Sequence, residues 1–323
     1  MMKLGRRSVL HGLSALVGTA ILRRQANAGI RIVRLGQIIT PSMLPEREGK
    51  SINGPSVIKV PEGLPGRLGN YYLYFAHHHG LYIRMAYANA IEGPYTIYEP
   101  GTLQLSQLRG AANHVASPDV HVDNSKLQIV MYTHSPSVAK RGKQQTFRSK
   151  SDDGIGFVQT DSDMADSYMR SFVYDGTTYG LTRARLWKSP DHGRSFVSGP
   201  DLGLPLGVEI RHASVRIVGS TIEYYYTVTH DAPERVYMTT IDATKPWTQW
   251  TFAWPWFNEI LRPQVAYEGA ILPVVPSRGG ESSAPENALR DPFVYEENGA
   301  VYLFYAIAGE SGIALARIVP TAT

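Results

Sequence analysis

The sequence predicts an all-β chain: a five-bladed β-propeller whose four-stranded antiparallel blades surround a central channel. Three observations carry that expectation. One strand pair recurs five times, at intervals of about 40 to 80 residues, and the shorter interval suits a blade of four short strands. The 323 residues include 19 Tyr, 30 Gly and 21 Pro, a mixture that favours short strands and tight turns. No stretch between the repeats has a useful length of amphipathic helical period. A β-sandwich would share the strand content, but it has no reason to repeat one strand pair five times.

The first 28 residues read as a leader and not as part of the fold. Gly5-Arg6-Arg7-Ser8-Val9-Leu10 is a twin-arginine pattern, Leu13 to Leu22 is apolar, and Ala26-Asn27-Ala28 is a small-residue cleavage site. The expectation is export by the twin-arginine route, a periplasmic or secreted destination, and no membrane anchor after cleavage. Residues 29–323 then form a single propeller domain.

The repeats follow in order. The first blade opens at Asn53-Gly54-Pro55-Ser56-Val57, with a second strand at Tyr71 to Phe75. The second pairs Ser117-Pro118-Asp119-Val120-His121-Val122 with Leu127 to Tyr132. The third opens at Met169-Arg170-Ser171-Phe172 and continues near Tyr179. The fourth pairs Arg211 to Ile217 with Glu223 to Tyr226, and the fifth pairs Arg290 to Tyr295 with Val301 to Tyr305. Ser189-Pro190-Asp191-His192-Gly193-Arg194-Ser195-Phe196 has the Asp-box form, a turn whose carboxylate accepts backbone N–H bonds. Ser151-Asp152-Asp153-Gly154-Ile155-Gly156-Phe157 is a shortened relative, so Asp191 and Asp153 are structural.

Several function classes drop out early. With no Cys there is no disulfide, thiolate metal site or cysteine nucleophile. The formal charge of +4 is scattered, without the basic stripe of a nucleic-acid-binding surface.

The blade opening Arg290-Asp291-Pro292-Phe293-Val294, the strand Ser117-Pro118-Asp119-Val120 and the Ser151 to Phe157 turn together resemble the five-bladed propellers of glycoside hydrolase family 43 and their relatives. The resemblance covers nearly all of the chain after the leader, as a blade rhythm. It implies an enzyme cleaving glycosidic bonds in an oligo- or polysaccharide. It further implies three carboxylates: a base opening the first blade, an orienting acid opening the second and a Glu acid in the third. Here Asp119 matches the orienting acid, the first blade reads Asn53-Gly54, and the third reads Tyr168-Met169-Arg170. Two of the three roles are unfilled. No cofactor is required, although related propellers hold a channel cation such as calcium. Alternate residues of His77-His78-His79 point to opposite sides, so at most two could share one ion.

Propeller topology converges the starts of the inner strands and the ends of the second strands on one face. That brings Asn53, Asp119, Tyr168, Arg170, Arg211, His212, Arg290 and Asp291 together with His77, His78, His79, His114, His134 and His230. Seven of the ten histidines fall there, and nothing in strand packing requires imidazole at those positions.

Three mechanisms fit this set. A glycosidase would use a carboxyl pair drawn from Asp119, Asp291, Glu209, Glu268 or Glu286. A lyase on an acidic, uronate-containing glycan would use Arg170 or Arg211 to neutralise the carboxylate and His78, His212 or Tyr168 to move protons. A non-catalytic sugar-binding propeller would use Tyr72, Tyr82 and Trp256 as stacking platforms. Hydrolysis is the leading expectation, with elimination next.

Overall fold

The computed structural model describes residues 29–321. The expected twin-arginine leader, residues 1–28, lies outside the described residues. Twenty strands form five sheets of four, and all the pairings within them are antiparallel. The inner strands of blades I to V are Asn53–Lys59, Ala116–Asp123, Met169–Tyr174, Ile210–Val218 and Arg290–Glu297. These are the repeat openings expected from the sequence. Ring closure was not anticipated: Ile30–Ile39 pairs with Ile313–Pro320 and supplies the outer strand of blade V. The start of the described chain thus fastens its end.

The aromatic second strands have a simple physical reason. A strand between two neighbouring blades buries both of its faces, so it reads as a continuous apolar run. In blade I, Tyr72 and Tyr74 pack with Val120, Ile129 and Met131 of blade II, whereas Leu73 and Phe75 pack with Phe293 and Phe304 of blade V. Each of these four side chains is fully buried, and burying one contributes roughly 1.5–3 kcal/mol. Both Asp boxes make the expected carboxylate turn, and each also bridges two blades. Asp191 accepts the Arg194 and Ser195 N–H groups, and Phe196 packs 6.1 Å from Tyr132 of blade II. Asp153 accepts the Ile155 and Gly156 N–H groups, and Phe157 packs 6.0 Å from Tyr74 of blade I.

Four inner strands carry a register shift near the channel mouth: Asn53/Ser56, Ala116/Asp119, Ile210/Ala213 and Arg290/Phe293. Three of these bulges contain a proline (Pro55, Pro118 and Pro292), which has no N–H to offer the ladder. The residue before each proline has positive φ: Gly54 60°, Ser117 49° and Asp291 51°. A bulge re-aims one side chain out of the strand's alternation, and here it turns Ser117, His212 and Asp291 toward the same mouth.

Candidate active site

At the upper mouth the bulged strand starts surround a narrow well of about 30 Å³. Its wall holds Asn53, His78, His114, His134, Tyr168, Arg211, His212 and Asp291, all expected from the sequence. Ser117, Gln144 and Glu310 complete it.

Two carboxyl groups dominate the electrostatics. Burial, together with the neighbouring Glu310 charge, pushes Asp291 up to about 6. Its Oδ2 accepts the Gly54 N–H at 3.0 Å. Its Oδ1 lies 3.0 Å from His212 Nδ1, but out of line for a hydrogen bond, and is otherwise unpartnered. Glu310 behaves oppositely. Burial disfavours its charge, but His78, Ser51 and Arg290 outweigh that and hold it at about 2. Ser51 Oγ donates to it at 2.7 Å, Asn53 Nδ2 at 2.9 Å and Arg290 Nη1 at 3.3 Å. One well therefore contains a carboxyl that keeps its proton into mildly acidic solution and a carboxylate that does not take one.

The imidazoles divide likewise. Burial and the surrounding cations hold His212 and His134 well below the ordinary histidine value, and burial with His78 and His79 lowers His114 to about 4. Burial opposes charge on His78 too, but the Glu310 contact at 3.5 Å prevails and raises it. Tyr168 sits between two neutral rings, 4.5 Å from His134 and 4.4 Å from His212. Neighbouring histidines pack edge to face at 5.0 to 6.1 Å, and among the described residues no group of three or more His, Asp or Glu is disposed to hold a metal ion.

No family model matches the chain. It is 36% identical over 303 residues to the uncharacterized protein R118 of Acanthamoeba polyphaga mimivirus, a match covering 83% of each protein. The chain belongs to the R118 family. Among solved structures it is similar to a glycoside hydrolase family 43 enzyme of Xanthomonas citri complexed with xylose, with TM-score 0.58, 13% identity, and 88% and 91% of the two chains covered. It is also similar to an α-L-arabinofuranosidase of Lactobacillus brevis, with TM-score 0.58, 10% identity, and 82% and 90% covered. A β-xylosidase/α-arabinofuranosidase from a compost metagenome, in complex with xylotriose, aligns with TM-score 0.57, 16% identity, and 88% and 94% covered. The resemblance read from the blade openings holds at the level of fold.

Six expected residues lie away from the well. Asp119 is two residues below Ser117, roughly 7 Å down the channel, and belongs to the opposite mouth. There its Oδ2 accepts the Ser171 N–H at 2.7 Å and meets His121 Nε2 at 2.7 Å, which staples blade II to blade III. Arg170 lies beside it, donating to the Ala213 and Pro118 carbonyls at 2.8 Å each. Arg290 is wholly buried behind the well, where Glu234, Glu286 and Glu310 surround it at 3.2, 2.7 and 3.3 Å. It positions Glu310 and is closed to a substrate.

His77 is half-buried outside the wall, with Nδ1 accepting the His79 N–H. His79 is exposed and pairs with Glu281 at 3.3 Å, and His230 is exposed with its N–H donated to Ser277. Of the other candidates, Glu268 is consumed by Arg34 and Tyr305, and Glu286 by Arg290. Tyr72 is a core residue and no platform.

Glu310 was missed, although the rule that found His78 and His134 reaches it. It follows the second strand of blade V, Ala300–Ala306, as those histidines end or follow the second strands of their own blades.

Proposed function

We propose that the chain hydrolyses glycosidic bonds, with Asp291 as proton donor and Glu310 as its ionised partner. The observation that carries this reading is that one well is lined by two carboxyl groups in opposite surroundings: Asp291, buried with Oδ1 unpartnered, and Glu310, held ionised by Ser51, Asn53, His78 and Arg290. Asp291 protonates the leaving glycosidic oxygen. Glu310 faces the positive charge that builds on the sugar ring as the bond breaks, and the water that adds to the ring returns its proton to the Asp291 carboxylate. A space of about 30 Å³ at the floor exceeds what a water needs, so the nucleophile of hydrolysis fits there. The fold shared with xylose- and xylotriose-bound hydrolases supports a carbohydrate substrate, and the twin-arginine leader supports action in the periplasm or outside the cell.

Elimination is the second reading, favoured by the neutral His212 packed on Tyr168. Its weakness is the cation. Arg211 is already engaged, through Nε with Glu234 at 2.8 Å and through Nη1 and Nη2 with the Gly280 and Arg278 carbonyls.

The test is a digest of xylo- and arabino-oligosaccharides and of uronate-containing glycans, followed for new reducing ends and for the ultraviolet absorbance of an unsaturated uronate. Hydrolysis yields reducing ends alone, and turnover disappears in Asp291→Asn and Glu310→Gln. Unsaturated ends, or full turnover in both variants, overturn the proposal. A chain that binds glycans and cuts none of them is a sugar-binding propeller.

A further inference from the structure

Beside the well lies a larger cavity of about 570 Å³, between the upper ends of blades II, III and IV. The two spaces share Gln144 and Tyr168. Gln144 begins the third strand of blade II, Gln144–Ser151, and its Oε1 is buried without a hydrogen-bond partner. Leaving such an acceptor unmade costs about 1–3 kcal/mol, so it points to a donor that arrives with a ligand.

The charges in this wall cancel. Lys143 pairs with Asp166 at 2.7 Å, Arg183 with Glu209 at 3.2 Å and Arg185 with Asp201 at 3.9 Å. Exposed pairs of this kind add little stability, but each occupies a cation that an acidic ligand would need. The buried cations behind the well, Arg211 and Arg290, are likewise matched by Glu234, Glu286 and Glu310. A carboxylate here would meet an Asp or Glu already beside each cation.

We propose that this side cavity is the sugar-ring subsite and that it takes an uncharged, hydroxyl-rich ring. Gln144 Oε1 accepts a ring hydroxyl, and Tyr168 lies where the cavity joins the well, so that a ring held here presents its glycosidic bond to the well. The inference rests on the glycoside-hydrolase reading for the reaction at the well, and it adds the substrate class: neutral glycan in place of uronate-containing glycan.

Binding in the Asp291→Asn protein tests it without turnover. Uncharged xylo-, arabino- and gluco-trisaccharides are titrated by calorimetry beside a glucuronate-bearing xylo-oligosaccharide of similar length. At least one uncharged ligand should bind more tightly than the acidic one. Gln144→Leu should weaken it about 3- to 10-fold, the effect of losing one neutral hydrogen bond. Glu209→Gln, which frees Arg183, should shift the preference between the two ligands about tenfold toward the acidic one.

Tighter binding of the acidic ligand by the Asp291→Asn protein itself, or an unchanged affinity in Gln144→Leu, overturns the inference. Failure of every uncharged ligand to bind does the same. These outcomes are separable from the catalytic reading. Sugar bound in the cavity with no bond cut by the native chain retains the subsite and removes the hydrolase, whereas native cleavage with an unaltered KM in Gln144→Leu does the reverse.

Discussion

The same five inner strands build both mouths of the channel, and the two ends use their polar side chains differently. At the lower mouth Ser56, Asp119 and Ser214 occupy one repeat position in blades I, II and IV. Each accepts a backbone N–H from the next blade around the ring: Val120, Ser171 and Val294. His121 and Ser171 close on Asp119, and one nitrogen of the neighbouring Arg170 is the exception left unpartnered. At the upper mouth, one bulge higher, Asp291 Oδ1, His134 Nδ1 and Gln144 Oε1 are buried without partners. The lower polar groups hold the ring together, and the upper ones have no partner within the chain. Residue types that bear chemistry occur at both ends, so residue type alone does not separate them. Unmet hydrogen bonding does.

The contrast can be broken most directly through its two aspartates. Asp119→Ala strands the buried Arg170 guanidinium and unstitches blade III, and it should destabilise the chain by about 3–5 kcal/mol in urea unfolding. Asp119→Asn, which keeps an acceptor for Ser171, should fold and retain its turnover number. A turnover loss of about 100-fold in the Asn variant would instead make the lower mouth catalytic.

Asp291→Asn should behave in the opposite way. Turnover falls by about 100-fold or more, since a general acid is worth about that much. Stability at pH 7 rises by about 2–3 kcal/mol, because ionising a carboxyl raised from 3.8 to about 6 opposes folding there. A chain weakened by this substitution would show that Asp291 is a structural group like Asp119.

The pH dependence sharpens the same comparison. Activity requires Asp291 protonated and Glu310 ionised, so it should hold between about pH 2 and about 6, as far as the fold survives, and fall above that. Stability has two limbs. Glu310, depressed from 4.5 to about 2, contributes stability that is lost as pH falls through that interval. Asp291, raised from 3.8 to about 6, contributes stability that is lost as pH rises through its own. Unfolding free energy should therefore be greatest near pH 4 to 5 in a denaturant series. A maximum at neutral pH with activity undiminished at pH 8 would contradict the assignment of Asp291.

The smallest effect belongs to the staples. Ser56→Ala leaves the Val120 N–H without its acceptor and should cost about 1 kcal/mol, with KM and kcat unchanged.

Much of this architecture was legible in the order of residues. The five strand pairs, the inter-blade aromatics and both Asp boxes depend on short-range pattern: two-residue alternation, turn residues and apolar runs. Eight of the fourteen expected site residues line the well because strand polarity tells which ends share a face. The errors were errors of depth. Asp119 and Arg170 stand in the correct strands but lie lower in the channel, and a reading by strand start does not resolve roughly 3.3 Å per residue. Arg290 was placed on the right strand but turned the wrong way, because it meets three carboxylates behind the wall.

Sequence by itself determined the blade repeat, its count and the face on which imidazoles and carboxyls gather, since each is written in contacts a few residues long. Only the tertiary structure decided which of those groups are staples and which line the well. The deciding partners are far apart in the chain: Gly54 with Asp291 at a separation of 237 residues, Asn53 with Glu310 at 257, and Asp119 with Arg170 at 51. Whether a buried polar atom is satisfied depends on what the closed ring places beside it. That proximity exists only once the first strand, Ile30–Ile39, has paired with the last, Ile313–Pro320.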